Sequence, residues 1–335
     1  MIKALILPLC RACLRFLRTD KEHVGAIERF VRAVILLLPY GGLLGLLRLR
    51  LALWGPLTVD GTTEDGIRFR CRLPDLIQMY VYLFGTWEPD VTAFLRRRLQ
   101  PDDTFIDIGA NIGCMTALAA KLVGPRGTVV AIEPCPSVVA SLQDTLASND
   151  LTNVRLVAAA VSDRDHELTL FAGPNHNIGL TTTVGRRGLR EQGRVRAAPL
   201  GSLVTAEELA SARLVKVDVE GAEDRVLAGM VACIDALAAD AELVVELSPT
   251  WWSDPQLLPI DVLGPFLERG FHIYLLRPVL ERFFYVRMPP NEYALWRYLW
   301  PGDVGAAQRL RDLAILKRRV ARLDIVLSRI DADAL

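Results

Sequence analysis

The chain has 335 residues, 51% of them apolar, with 39 basic and 39 acidic side chains and a formal net charge of zero. That length suits one large α/β domain with extensions, or two modest domains. The balanced charge argues against a partner held by bulk electrostatics, so no nucleic acid is expected. Cysteines 10, 13, 71, 114, 135 and 233 follow no regular framework, and the Cys10/Cys13 pair lacks the second pair of a zinc site. A reduced, cytoplasmic protein is the natural reading, with membrane association left open.

Residues 1–54 mix Leu-rich and Arg-rich positions. The apolar start is interrupted by Arg11, Arg15 and Arg18, and no small-residue cleavage site follows. The most apolar run, 33–47, is broken by Pro39, Gly41, Gly42 and Gly45 and falls short of the ~20 residues of a spanning helix. A helical extension over 1–55, packed on the main domain, is expected; peripheral membrane contact through residues 1–54 is the alternative.

Residues 57–73 read as short strands around the turn Glu64-Asp65-Gly66, followed by a helix ending near Leu99 with Arg96, Arg97 and Arg98 in its last turn. From Thr104 strands and helices alternate. Strands are predicted at 104–108, 128–133, 154–160, 214–219 and 243–247, with helices at 112–122, 138–149 and 223–237. Short apolar strands separated by helices mean a parallel sheet covered on both faces. Residues 168–171 suit a small hairpin, the arginines at 186, 187, 190, 194 and 196 a solvated loop, and 271–277 with 282–288 an antiparallel edge pair. The tail carries Leu310, Leu313, Leu316, Val320, Leu323, Leu327 and Ile330 at intervals of three and four. It therefore predicts an amphipathic helix over 305–335, and a homodimer through it as one option.

In open parallel sheets, ligands bind beyond the carboxyl ends of the strands. The first strand of this alternation ends at Ile108 and turns through Gly109-Ala110-Asn111-Ile112-Gly113 into a helix. Glu133 ends the next strand, where a carboxylate can accept both hydroxyls of a ribose. A dinucleotide fingerprint wants a middle glycine where the pyrophosphate approaches, and Asn111 stands there instead. S-adenosylmethionine has no phosphate, and Asp107 can receive its ammonium group, directly or through water. The turn thus favours S-adenosylmethionine over a nicotinamide cofactor without excluding the latter.

Further segments follow in order: Phe84-Gly85-Thr86-Trp87-Glu88-Pro89, the glycine turn, Ile132-Glu133-Pro134, Ala160-Val161-Ser162-Asp163, and 215–223, Val-Lys-Val-Asp-Val-Glu-Gly-Ala-Glu. This succession resembles the FkbM family of S-adenosylmethionine-dependent methyltransferases over about residues 60–290. The resemblance implies a Rossmann-like class I methyltransferase fold, α/β, with a seven-stranded, mostly parallel sheet and an antiparallel last strand. It implies a methyltransferase domain at 56–300 and O-methylation of a hydroxyl on a small molecule, sugar or glycan. It also implies that Asp107, Gly109, Asn111 and Gly113 hold the methionine part, Glu133 the ribose, and Ser162 with Asp163 the adenine. Cys135, where the family often has Asn, and Trp87, where Tyr is common, depart from the pattern.

Methyl transfer to oxygen is an in-line displacement that profits from alignment and from a base. Asp218, Glu220 and His176 are the candidates. Asp218 and Glu220 share strand parity with Lys216, which can pair with an acid. His176 lies in a turn that can cover the pocket. The bland readings are helix-start acids for Glu220 and Glu223 and a self-bonding turn for His176. Asp218, Glu220 and Glu246 lack the dense ligand spacing of a calcium loop, so no metal is assigned. The rival functions are a nicotinamide-dependent dehydrogenase and a non-catalytic scaffold with a Rossmann-like domain.

Overall fold

The computed structural model describes residues 6–18, 41–43, 45–174, 176–185, 188–276 and 306–335. The chain divides into two compact units. One comprises 1–89, 175–178 and 278–304, the other 90–174, 179–277 and 305–335. This division differs from the one drawn from the sequence: residues 56–89 fall with the N-terminal segment, and the C-terminal 31 residues fall inside the larger unit.

In the first unit, α1 (Leu7–Arg18) accompanies an antiparallel hairpin of β1 (Leu57–Thr62) and β2 (Arg68–Leu73). Residues of β2 are alternately exposed and buried, as a half-solvated hairpin requires. Arg11 ties α1 to the hairpin, donating to the Thr62 carbonyl at 3.4 Å and lying over the Tyr82 ring. Helix α2 (Leu76–Phe84) is capped by buried Asp75, whose Oδ1 accepts the Gln78 N–H, and ends at Gly85 with φ +78°. Residues 45–54 are also helical. Among the described residues no helix is long and apolar enough to cross a membrane.

The second unit opens with α3 (Pro89–Arg98), whose last-turn arginines include Arg98 on the buried Glu242 carboxylate. Its large sheet is built from β3 (Thr104–Ile108), β4 (Thr128–Ile132), β5 (Val154–Val157), β9 (Ala212–Val217), β10 (Glu242–Leu247), β11 (His272–Leu275), β12 (Gln308–Arg309) and β13 (Leu323–Ser328). A smaller sheet holds β6 (Ala160–Val161), β7 (His166–Ala172) and β8 (Arg190–Ala198) in the order β6-β8-β7. The large sheet runs β5-β4-β3-β9-β10-β13-β11-β12. β5, β4, β3, β9 and β10 are parallel neighbours, and β13 lies antiparallel to both β10 and β11. Seven strands therefore follow the expected class I methyltransferase arrangement, and the two-residue β12 adds an edge. The predicted strand at 282–288 lies outside the described residues.

Helices α4 (Cys114–Val123) and α5 (Pro136–Ser148) cover the sheet around the glycine turn, and α6 (Glu223–Met230) follows β9. The core centres on Ile106, Val130, Val215, Val245 and Ile325 from five adjacent strands, with Trp252 and Phe266 packed against them.

Two expectations are corrected here. The C-terminal segment is not an amphipathic helix. All six residues of β13 are buried between β10 and β11, and an inner strand of a covered sheet needs apolar side chains on both faces, not one stripe in four. The three-and-four spacing across 310–330 is a coincidence of a strand and a short turn of helix. Leu323 and Leu327 are thereby consumed inside the chain's own sheet, which removes the dimer surface inferred from them. The second correction concerns the basic stretch. Arg190, Arg194 and Arg196 belong to β8, where Arg194 faces Glu167 at 3.7 Å and Arg196 faces Asp165 at 3.1 Å. Such exposed cross-strand pairs contribute little to stability. Arg186 and Arg187 lie outside the described residues.

Candidate functional site

Asp107 is the fourth residue of β3 and is fully buried, with its Cα opposite Lys216 of β9. Thr116, in the first turn of α4, donates to Asp107 Oδ2 at 2.6 Å. Lys216 Nζ stands 3.9 Å from Asp107 Oδ1 and donates to Asp218 Oδ2 at 2.9 Å. One buried ammonium thus lies between two carboxylates at neighbouring strand ends. Burial raises the Asp107 pKa, against the pull of Lys216 and the Thr116 hydrogen bond. Asp107 Oδ1 has no hydrogen-bond partner among the described residues, an unusual state for a buried acceptor. Next along the sheet, Asp218 and Glu246 bring carboxylate oxygens within 4.8 Å of one another, and Arg322 pairs with Glu246.

The turn after β3 is shaped by its neighbours as much as by any ligand. Gly109 has φ +84°, and a Cβ there would lie 1.8 Å from the Asp218 carbonyl oxygen, so only glycine lets the β9 connection pass. Gly113, at φ +90°, is likewise crowded by Leu142 of α5. Asn111 holds φ +52°, with its Oδ1 accepting the Ile112 N–H at 2.7 Å. Asn tolerates that left-handed region better than other side-chain-bearing residues.

Glu133 follows β4 and is buried. Its carboxylate accepts the Asn111 N–H at 3.0 Å and the Cys135 N–H at 2.9 Å, joining the two turns that border the strand ends. Burial pushes its pKa up to about 7, the two hydrogen bonds opposing the rise. A carboxyl of that kind is half protonated near neutrality. If it accepts ligand hydroxyls as the carboxylate, affinity should fall as pH drops from 8 towards 6, with proton release on binding between them. Calorimetry in buffers of different ionisation heat measures both, and a pH-independent affinity without proton release would remove Glu133 from the contact.

The remaining candidates are scattered. Ser162 is buried, with its hydroxyl on Asp163 Oδ1 at 3.1 Å, and its carbonyl crowds Gly229 of α6; Asp163 is exposed beside Arg164. Glu220 is half-buried at φ +57°, and its carbonyl accepts the Thr182 hydroxyl at 2.9 Å. The strand alternation offered for Asp218 and Glu220 ends at Val217, so parity no longer links the two acids. His176 belongs to the first unit, where it is exposed and its carbonyl accepts the Leu76 N–H at 2.9 Å. Asp75 Oδ2 accepts the Ile178 N–H at 2.8 Å on the same segment.

Glu223 is the residue that sequence reasoning undervalued. It is fully buried, and its carboxylate accepts the Gly221 N–H at 2.6 Å, the Ser248 N–H at 3.2 Å and the Trp252 indole N–H at 2.8 Å. It clamps the connection after β9 to the one after β10, a role far beyond easing a helix dipole. Its pKa is also raised by burial, to about 7. The only hint in the sequence is its place in the run ending at Glu223.

Residues 107–273 match the family model of the methyltransferase FkbM domain. The chain carries an FkbM methyltransferase domain. The 31-O-demethyl-FK506 methyltransferase FkbM of Streptomyces tacrolimicus is 30% identical over 160 residues, which make up 39% of this chain and 61% of that protein. Methyltransferase 1 of Beauveria bassiana (strain ARSEF 2860) is 28% identical over 149 residues, covering 39% and 59% respectively. The chain therefore spans about three fifths of the length of these curated relatives. Among solved structures, a methyltransferase FkbM from Methylobacillus flagellatus KT aligns with 69% of this chain and 44% of its own, at 16% identity and a TM-score of 0.36. M. jannaschii TYW2 in complex with AdoMet aligns with 82% of this chain and 87% of its own, at 13% identity and a TM-score of 0.40. The matched FkbM segment spans β3 to β11 and contains Asp107, Glu133, Lys216, Asp218 and Glu223.

Proposed function

We propose that this chain transfers the methyl group of S-adenosylmethionine to a hydroxyl oxygen of a small molecule, sugar or glycan. The observation that carries this reading is the Asp107–Lys216–Asp218 array at adjacent strand ends of an FkbM domain. The residues fit the cofactor. Asp107 offers a buried acceptor oxygen, without a hydrogen-bond partner among the described residues, for an ammonium group. Glu133 keeps unused lone pairs for ribose hydroxyls beyond the two N–H groups it already accepts. For the nicotinamide alternative, Asn111 is the obstacle: its side chain is fixed on Ile112 N–H at the position a pyrophosphate would approach. The Streptomyces relative is by its name a methyltransferase for an O-demethyl compound, which supports oxygen as the acceptor atom here.

The cofactor supplies an electrophilic methyl group when bound. The chain's own residues would do the rest. Asp107, Gly109, Asn111 and Gly113 hold the methionine part, Glu133 the ribose, and Ser162 with Asp163 flank the adenine. Asp218, whose Oδ2 accepts from Lys216 Nζ, would receive the acceptor hydroxyl's proton, the cofactor's sulfur keeping the electron pair of the broken sulfur–methyl bond. Glu220, on the same connection after β9, is the alternative base.

Titration with S-adenosylmethionine and with NAD separates the two cofactor readings, and incubation of candidate acceptors with radiolabelled cofactor identifies the product. Binding of NAD in place of S-adenosylmethionine would overturn the proposal. Glu133→Ala should weaken S-adenosylmethionine binding by roughly 1.5–3 kcal/mol, the range for hydrogen bonds to a charged group. An unchanged dissociation constant in a folded variant would sever Glu133 from the ribose.

A further inference from the structure

The helical residues 45–54 are apolar on two sides. Leu43, just before them, and Leu47 are buried, which satisfies the inward side. Leu46, Leu49 and Leu53 recur at intervals of three and four on another side and are all exposed, Leu49 and Leu53 at 57%. Trp54 adds its indole at 73% exposure, and Leu9 of α1 is a further exposed leucine of the same unit. A water-facing row of three leucines and a tryptophan is more than the scattered single apolar residues normal on a surface.

Charge decides among occupants. Residues 1–54 hold nine Lys and Arg against three Asp and Glu, in a chain whose overall net charge is zero. Arg48 is exposed within the leucine row itself. Residues 45–54 carry Arg48 and Arg50 and no acid, so a second copy would bring like charges together, and a protein partner would need acidic side chains set among apolar ones. An anionic lipid surface answers both: leucines enter the acyl boundary, Trp54 sits at the headgroup level, and Arg48 reaches phosphate with its stem along apolar surface. We propose that residues 45–54 dock this protein on the face of an anionic membrane, lying in the interface without spanning it. A methyltransferase so placed would meet acceptors carried at that surface.

The test uses the full chain and sedimentation with phosphatidylcholine vesicles, with and without phosphatidylglycerol. Binding is expected to the anionic vesicles alone and to decline with salt. The Leu49→Glu/Leu53→Glu double variant should stay in the supernatant while S-adenosylmethionine binding remains as in the parent, which controls for folding. Arg48→Glu should weaken vesicle binding by about 5- to 30-fold, from about 1 kcal/mol per basic residue near such a surface. Absence of vesicle binding, or equal binding of the parent and the double variant, would overturn the proposal. So would a dimer in size-exclusion chromatography that the double variant dissolves, because the face would then belong to a second copy.

Discussion

Asp218→Asn should lower kcat by about 10²–10⁴-fold, the contribution of a positioned general base, with S-adenosylmethionine affinity nearly unchanged. The substitution keeps the shape of the side chain and its ability to accept from Lys216 Nζ, now at 2.9 Å, so charge and basicity are what it removes. The expectation rests on place: Asp218 follows β9, its backbone N–H donates to the Ile108 carbonyl, and it is half-buried where Asp107 is wholly enclosed. An enclosed carboxylate suits a cofactor, a half-open one an acceptor. The measurement is single-turnover kinetics with the acceptor found by radiolabelling, alongside calorimetry of cofactor binding. Normal turnover at saturating acceptor would make Asp218 structural and bring Glu220 forward. Loss of cofactor binding would instead move Asp218 into the binding group.

Glu223→Ala should destabilise the second unit by about 3 kcal/mol or more, because three buried donors lose their acceptor at once. The pH dependence gives a separate signature through Glu223→Gln. The folded pKa of about 7 lies above the usual carboxyl value, so between roughly pH 4.5 and 7 the folded state holds a proton that the unfolded state has released. The contribution of this group is therefore greatest below pH 4.5 and is lost as pH rises through 7. Relative to the glutamine variant, which cannot titrate, the parent should lose about 3 kcal/mol across that window. Denaturant midpoints at pH 5 and pH 8 measure it. Parallel pH dependence of the two proteins would mean that the Glu223 pKa is not raised on folding.

The parallel strands and the glycine turn were readable because each is a local pattern: a short apolar run, or a strand that ends in glycines before a helix. Asp107, Glu133 and Asp218 could be named for the same reason, since each ends or follows a strand. What joins them was not local. Asp107 meets Lys216 only because β3 and β9 are neighbours in register, a pairing across more than a hundred residues that periodicity does not encode. Glu223 looked like an ordinary helix-start acid because its partners, Ser248 and Trp252, lie beyond the next strand. β13 was misread because Leu-Asp-Ile-Val-Leu-Ser is too short to distinguish a doubly covered strand from a helical stripe, and its neighbours in sequence happened to extend the stripe.

The position of β13 sets an order of events during synthesis. β10 and β11 are not paired with each other; each is hydrogen-bonded to β13. Every strand bearing a candidate cofactor residue leaves the ribosome well before residues 323–328. Until they arrive, β10 presents a bare edge of peptide groups beside an uncovered apolar surface, the kind of edge that pairs with other chains. The nascent protein thus passes through an interval in which its cofactor strands exist and its sheet is still open. A binding event that steadies β3, β4 and β9 in that interval would act as a folding aid before it could serve catalysis.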